Sequence, residues 1–180
     1  MVEGIAGGGS LRIAYIVATG VGRFHGWRPV SISCRPALSG THLLGELVGG
    51  MPLRTTKSWF GVVLDTRDAQ ALARFYADLL GWQVFTDDPG WATVAPSKDA
   101  GYNLAFQREE HHVRPVWPAG PGDPEMQLHL DLEVDDLEQA VAWARECGAE
   151  LAQFQPQETV RVLLDPAGHP FCLYVDDGSD

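Results

Sequence analysis

The segment Leu128 to Val134, LHLDLEV, alternates Leu130, Leu132 and Val134 with His129, Asp131 and Glu133. On an extended strand this puts the apolar residues on one face and an imidazole with two carboxylates on the other. Such a row could supply a general base or hold a cationic group. It is also the ordinary composition of a solvated strand face. In FGVVLDTRD, Val62 and Leu64 alternate with Gly61, Val63 and Asp65. Asp65 could join the same chemistry or help to cap a helix that starts at Asp68. Arg161 and His169 lie on or beside a later hairpin and could neutralise acidic groups, although isolated residues of these types usually face solvent. His111 and His112, between Glu109, Glu110 and Val113, suggest a metal clip. Adjacent side chains on an extended chain point in opposite directions, so a solvated loop is the expectation. Trp82, Trp91 and Trp117 could stack on a flat ligand, but tryptophan usually serves the core, and only Trp91 falls where a middle strand would expose it to a cavity. No G-x-S-x-G elbow and no phosphate-cradling glycine loop is present, which excludes serine hydrolases and P-loop enzymes.

The elements that must position these residues come in a repeated order. After the first strand, Leu72, Phe75, Tyr76, Leu79 and Leu80 form one apolar helical stripe from the cap Asp68 to the stop Gly81. Strands are expected over 82–85, 91–95 and 102–107, divided by DDPG and PSKDAG turns. A proline-rich connection, RPVWPAGPGDP, leads to the strand at 128–134. A second helix is expected to begin at Asp135, with Glu138 in the capping-box position, Leu137, Ala140, Val141 and Ala144 as its stripe, and Gly148 as its stop. Strands over 149–154, 159–164 and 170–175 complete the set. Asp68 and Gly81 then correspond to Asp135 and Gly148, and the pattern predicts an α+β protein of two tandem βαβββ modules, about 59–107 and 127–176, sharing one core.

The remainder differs in kind. Residues 1–57 carry six basic and two acidic side chains, a net of +4, so residues 58–180 account for −15 of the total −11. Of the 20 glycines, 11 fall in the first fifty residues. Residues 1–50 are expected to be a disordered leader or the product of a mis-called start, with Met51 the working initiator and 51–180 the domain. The apolar run Ile13 to Val21 is too short for the ~20 residues of a membrane span. The acidic body lacks the basic footprint for nucleic acid or anionic membranes. Three widely spaced cysteines fit no disulfide framework, which points to a reducing, cytoplasmic setting.

The ordered set FYADLLGW, LAFQ, a Trp-Pro linker, LHLDLEVDDLEQA and LLDPAGHPFCLYVDD resembles the glyoxalase-like branch of the vicinal oxygen chelate superfamily, the group of glyoxalases, extradiol dioxygenases and bleomycin-resistance proteins. The resemblance spans the two modules and none of the first fifty residues. It implies curved sheets around a pocket, with the face carrying His129, Asp131 and Glu133 turned inward. It also implies a divalent metal on the first and last strands of each module. Counting back seven residues from Asp136 reaches the family's histidine at His129, whereas the same count from Asp68 reaches Gly61, which has no donor. Cys172 stands where a glutamate is usual, and Ala105 or Gln107 aligns in the first module.

By this resemblance at most His129, Gln107 and Cys172 remain as metal ligands, a poor set for Mg or Mn. No metal or other cofactor is therefore expected, a divalent metal being the alternative. The function implied is binding or sequestration of a small molecule by His129, Asp131, Glu133, Asp65, Gln107, Trp91 and Arg161, in a homodimer. The alternative is a metal-dependent lyase, isomerase or dioxygenase.

Overall fold

A computed structural model describes residues 59–176. The expected leader, 1–50, lies outside the described residues. The first module runs β1 (Phe60–Thr66), α1 (Ala69–Leu80), β2 (Gln83–Asp88), β3 (Trp91–Ala95) and β4 (Tyr102–Arg108). The second runs β5 (Leu130–Glu133), α2 (Leu137–Glu146), β6 (Glu150–Leu151), β7 (Val160–Leu164) and β8 (Pro170–Tyr174). Each module builds one four-stranded sheet, in the orders β1-β4-β3-β2 and β5-β8-β7-β6. In each, the first and last strands pair in parallel and the other neighbours are antiparallel. The protein is thus the α+β pair of βαβββ modules that the repeat implied.

Two boundaries differ from the sequence reading. The second helix is capped by Asp136, not Asp135: Asp136 has extended backbone, its Oδ1 accepts from Gln139 N at 3.0 Å and its Oδ2 from Gln139 Nε2 at 3.0 Å. The reciprocal third-position partner is therefore Gln139 instead of Glu138, and α2 is shorter than α1. Strand β6 is two residues long where six were expected. Past Leu151 the Gln155 amide takes over the edge of β7, donating to Val162 O and accepting from Val162 N, both at 2.9 Å.

The apolar stripe of α1 accounts for the core. Leu72, Phe75 and Tyr76 are buried against Leu64, Val94, Leu104 and Phe106 of the first sheet, and the same cluster continues into Leu163, Phe171 and Leu173 of the second. Tyr76 stacks on Phe106 at a centroid distance of 5.4 Å, and Phe75 meets the edge of Phe171 at 6.2 Å. Trp143 of α2 donates from Nε1 to Leu79 O over 3.2 Å. The modules are joined on their helix side, which leaves the opposite face of each sheet for other work. Among the described residues, no helix is long and apolar enough to cross a membrane.

Candidate functional site

Residues directly opposed on neighbouring strands share a face. In the second sheet Leu130 opposes Phe171 and Leu132 opposes Leu173, all on the core side, so Asp131 and its partner Cys172 fall on the helix-free face. His129 precedes them by two residues and joins them: its ring nitrogen, an Asp131 oxygen and the Cys172 sulfur all lie within 4.8 Å of one another. The His129 and Asp131 side chains are only 6% and 7% exposed, and Nε2 stands 3.2 Å from Asp131 Oδ1. The two atoms are close enough for an ion pair but not aligned for a hydrogen bond, so Nε2 is buried with no hydrogen-bond partner. Burial, and secondarily the Asp131 carboxylate, pushes the Cys172 thiol up to about 12. Left to itself it is a protonated thiol and a weak nucleophile. Glu133, two residues on, is exposed at the end of β5.

The helix-free face of the first sheet is of another character. Gln107 is the strand partner of both Asp65 and Trp91, as Ala105 is of both Val63 and Thr93, so each trio forms one row across the sheet. All three of the first row are exposed, as is Val63. Gly61 opposes Asn103, whose side-chain oxygen accepts from Trp59 Nε1 and stands 2.8 Å from where a Cβ on Gly61 would lie. The position that the family resemblance reserves for a histidine is thus closed by an amide. Gln107 is on this sheet, and Asp131 joins His129 and Cys172 as a third donor that the family resemblance did not offer.

Other residues singled out in the sequence go elsewhere. Arg161 opposes Leu173 on the core side of its sheet, and its Nη1 donates to the carbonyls of Glu158 and Val160 at 2.9 and 2.8 Å, closing the turn before β7. It does not face the acidic row. Trp82 packs on the core and meets Tyr102 edge-on, and Trp117 donates to Phe154 O. His112 corrects the solvated-loop reading: it is half-buried, its Nε2 lies 3.0 Å from Ala167 O, and its ring is 5.1 Å from that of His169.

That contact belongs to a buried network missed in the sequence. Asp165 is fully buried in the D-P-A-G turn; its Oδ2 accepts from Tyr76 Oη at 3.0 Å and lies 2.9 Å from His169 Nδ1, and its Oδ1 accepts from His169 N. The aspartate of that turn and the helical tyrosine were both visible, but no periodicity links residues so far apart. Two open grooves, of about 500 and 590 Å³, lie away from the His129 cluster: one between α1 and α2 beside Trp82 and Trp143, the other beside Trp117 and β6. The first is lined by Asp78, Glu146 and Cys147 as well, but neither groove is lined by an imidazole, so the buried cluster of His129, Asp131 and Cys172 is the better candidate site.

The donor chemistry can be set against a metal. Imidazole nitrogen, carboxylate oxygen and sulfur suit zinc and similar ions, and three protein ligands are the usual number at a zinc site with an open position. The orphaned Nε2 is the feature such an ion would satisfy. The set does not fit Mg or Mn, which prefer oxygen ligands.

Comparison with solved structures finds relatives of low identity. A glyoxalase/bleomycin resistance protein/dioxygenase family enzyme from Burkholderia phytofirmans is 20% identical, with a TM-score of 0.47 over 64% of this chain and 95% of that one. The fosfomycin resistance protein FosX from Mesorhizobium loti is 13% identical, with a TM-score of 0.48 over 70% and 94%. TnmS3, an antibiotic-binding protein from a Streptomyces species, is 24% identical, with a TM-score of 0.43 over 65% and 93%. A search of curated protein sequences finds no match. The family model of the glyoxalase-like domain, however, matches residues 61–174, nearly the whole of both modules, and by that match this chain belongs to the glyoxalase-like family of the vicinal oxygen chelate superfamily.

Proposed function

We propose that this glyoxalase-like protein binds and sequesters a small, flat organic molecule on the helix-free sheet faces. The observation that carries the reading is the first-module face. Where a metal ligand would stand, Gly61 offers none and Asn103 fills the space, while beside it Trp91 and Val63 expose apolar surface next to the polar pair Asp65 and Gln107. An indole face stacks on a planar ligand, and an adjacent carboxylate and amide fix its orientation through hydrogen bonds. Asp131, Glu133 and His129 extend the same chemistry in the second module; Arg161, held by backbone carbonyls, takes no part. A thermal-shift screen of planar aromatic compounds tests this. Hits that stabilise the wild type and lose their effect in Trp91→Ala support it. Hits indifferent to Trp91, Asp65 and Gln107 overturn it.

A metal-dependent lyase, isomerase or dioxygenase is the second reading, favoured by the His129, Asp131 and Cys172 cluster. Those three residues would hold the ion, and a divalent metal there would polarise a substrate oxygen. Glu133, exposed near the same cluster, is the carboxylate placed to accept a proton. Turnover that appears only on metal addition and disappears in His129→Ala would favour this reading over sequestration.

The working assembly we infer is a homodimer, since a second copy would cover the outer strands of the two sheets. Light scattering at micromolar concentration should give twice the chain mass. The free thiols of Cys147 and Cys172 suit a reducing cytoplasm, and the acidic charge of the body argues against nucleic-acid partners.

A further inference from the structure

We propose that His112 and His169 form a two-imidazole site for a divalent transition-metal ion, copper(II) most tightly, with water completing the coordination. The site lies apart from the His129 cluster and from the helix-free sheet faces, and it stands whatever those faces bind. Its rings come from the connection between the modules and from the D-P-A-G turn. The adjacent pair His111 and His112, which the sequence suggested as a clip, is not the pair that meets.

The tautomer of each ring is assigned by its neighbour. A carbonyl oxygen only accepts, so His112 Nε2, 3.0 Å from Ala167 O, carries the hydrogen of the neutral ring. The buried Asp165 carboxylate, already an acceptor for Tyr76, likewise assigns the hydrogen of His169 to Nδ1, 2.9 Å away. The lone pairs therefore remain on His112 Nδ1 and His169 Nε2. Among the described residues neither nitrogen has a hydrogen-bond partner, and neither is sealed from water as His129 Nε2 is. Histidines that ligate metals characteristically give their other ring N–H to a carboxylate or a backbone carbonyl, which fixes the ring and makes the free nitrogen a better donor. Here one ring has the carbonyl and the other the carboxylate.

The spacing agrees. The two ring centroids are 5.1 Å apart. Two imidazoles on one tetrahedral ion, each with its nitrogen about 2.0–2.1 Å from the metal, place their centroids roughly 5.2 Å apart. The segments that carry the rings are held by bonds of their own: Arg67 Nε donates to His112 O at 3.2 Å, and Arg114 joins Pro166 O to Glu150 across the turn. Little ordering is left for the ion to impose. Imidazole nitrogens suit copper, nickel and zinc, whereas Mg and Ca prefer oxygen, and copper(II) stands highest in the affinity order of these ions. Coordination uses only the two lone pairs, so no bond breaks and no oxidant or reductant is involved. A bound ion ties the connection to the turn and, through Asp165, to Tyr76 of the first module.

The test uses full-length protein treated with a chelator and carrying His129→Ala, so that the other cluster does not contribute. Calorimetric titration with copper(II) should show one ion per chain, with nickel and zinc weaker and magnesium without effect. Adding His112→Gln or His169→Gln should weaken copper by at least the roughly 10-fold that loss of an outer-shell partner costs. His25→Gln, His42→Gln and His111→Gln should leave it unchanged. Copper should raise the unfolding temperature of His129→Ala and not that of His129→Ala with His112→Gln. In the wild type, copper should shield His112 and His169 together from diethyl pyrocarbonate, read residue by residue by mass spectrometry, and this measurement decides the matter if the variants fail to fold. The proposal is overturned if His129→Ala binds no copper, if a folded His112→Gln or His169→Gln binds it as before, if binding is lost with His25, His42 or His111 instead, or if copper leaves either ring of the pair unshielded. The metal-dependent enzyme reading is judged separately, by the effect of His129→Ala on turnover.

Discussion

The phenol of Tyr76, on α1 of the first module, donates a 3.0 Å hydrogen bond to Asp165, which opens the turn before β8 of the second. Both residues are completely buried, and Asp165 also meets His169 through its backbone N–H and its ring. One carboxylate therefore ties together the helix of one module and the final hairpin of the other.

Removing that carboxylate should cost more than removing the phenol. Asp165→Ala strands the Tyr76 hydroxyl and the His169 N–H together, and the loss of one partner from a buried charged network typically costs about 3–5 kcal/mol. Tyr76→Phe leaves Asp165 with His169 and should cost about 1–2 kcal/mol. Urea unfolding of the two variants decides the matter: equal losses would mean that His169 contributes nothing.

Alkaline stability should depend on the same phenol. Burial, followed by the nearby Asp165, holds Tyr76 well above its ordinary 10.0. The folded chain keeps this proton where the unfolded chain gives it up, so the stability linked to Tyr76 is whole below the ordinary value and is lost as pH rises above it. Between about pH 9 and about pH 11, the unfolding free energy of the wild type should fall more steeply than that of Tyr76→Phe. Parallel curves would remove Tyr76 from the explanation.

The architecture was legible because it is written in local patterns. The stripe from Leu72 to Leu80 and the alternation from Val62 to Asp65 each lie within a few residues, and together they imply two matching modules. Asp136 was misplaced by one position because two adjacent aspartates both suit a cap, and only the backbone shows which one is extended. The site was less legible. The row His129, Asp131, Glu133 was visible as an alternating strand, but which third donor meets His129 depends on strand pairing: Asp131 shares its face with Cys172, whereas Gln107 shares its face with Asp65 on another sheet. His112 looked solvated because nothing local indicates that Ala167 and His169 lie against it.

The turn that carries Asp165 should be intolerant of any added side chain. Gly168 has a φ of 92°, and a Cβ there would lie 2.0 Å from Arg114 Cγ. Gly168→Ala should cost at least about 2 kcal/mol, from backbone strain and overpacking together. Gly81→Ala, also at positive φ but with nothing within 4 Å of the new Cβ, should cost about 1–2 kcal/mol. Arg114→Ala should recover part of the first loss and none of the second, as thermal unfolding of the double variants will show.

Deleting residues 1–50 should leave the melting temperature within a few degrees of the full chain. The described secondary structure begins at Phe60, and the family match at Gly61. A larger fall would show that the basic, glycine-rich segment contributes to the stability of the domain.

The parallel seam between β1 and β4 has a consequence for how the chain is made. Phe60 finds its partner only at Tyr102, and Leu130 only at Phe171, so in each module the strand synthesised first is paired with the strand synthesised last. Contacts of such long sequence separation slow folding. On the ribosome, β1 must therefore emerge and wait without its ladder until β4 follows, and a stall between them leaves Val62 and Leu64 on an open edge. The interval between first and last strands is thus the period in which a nascent module is most exposed to aggregation or to chaperone capture.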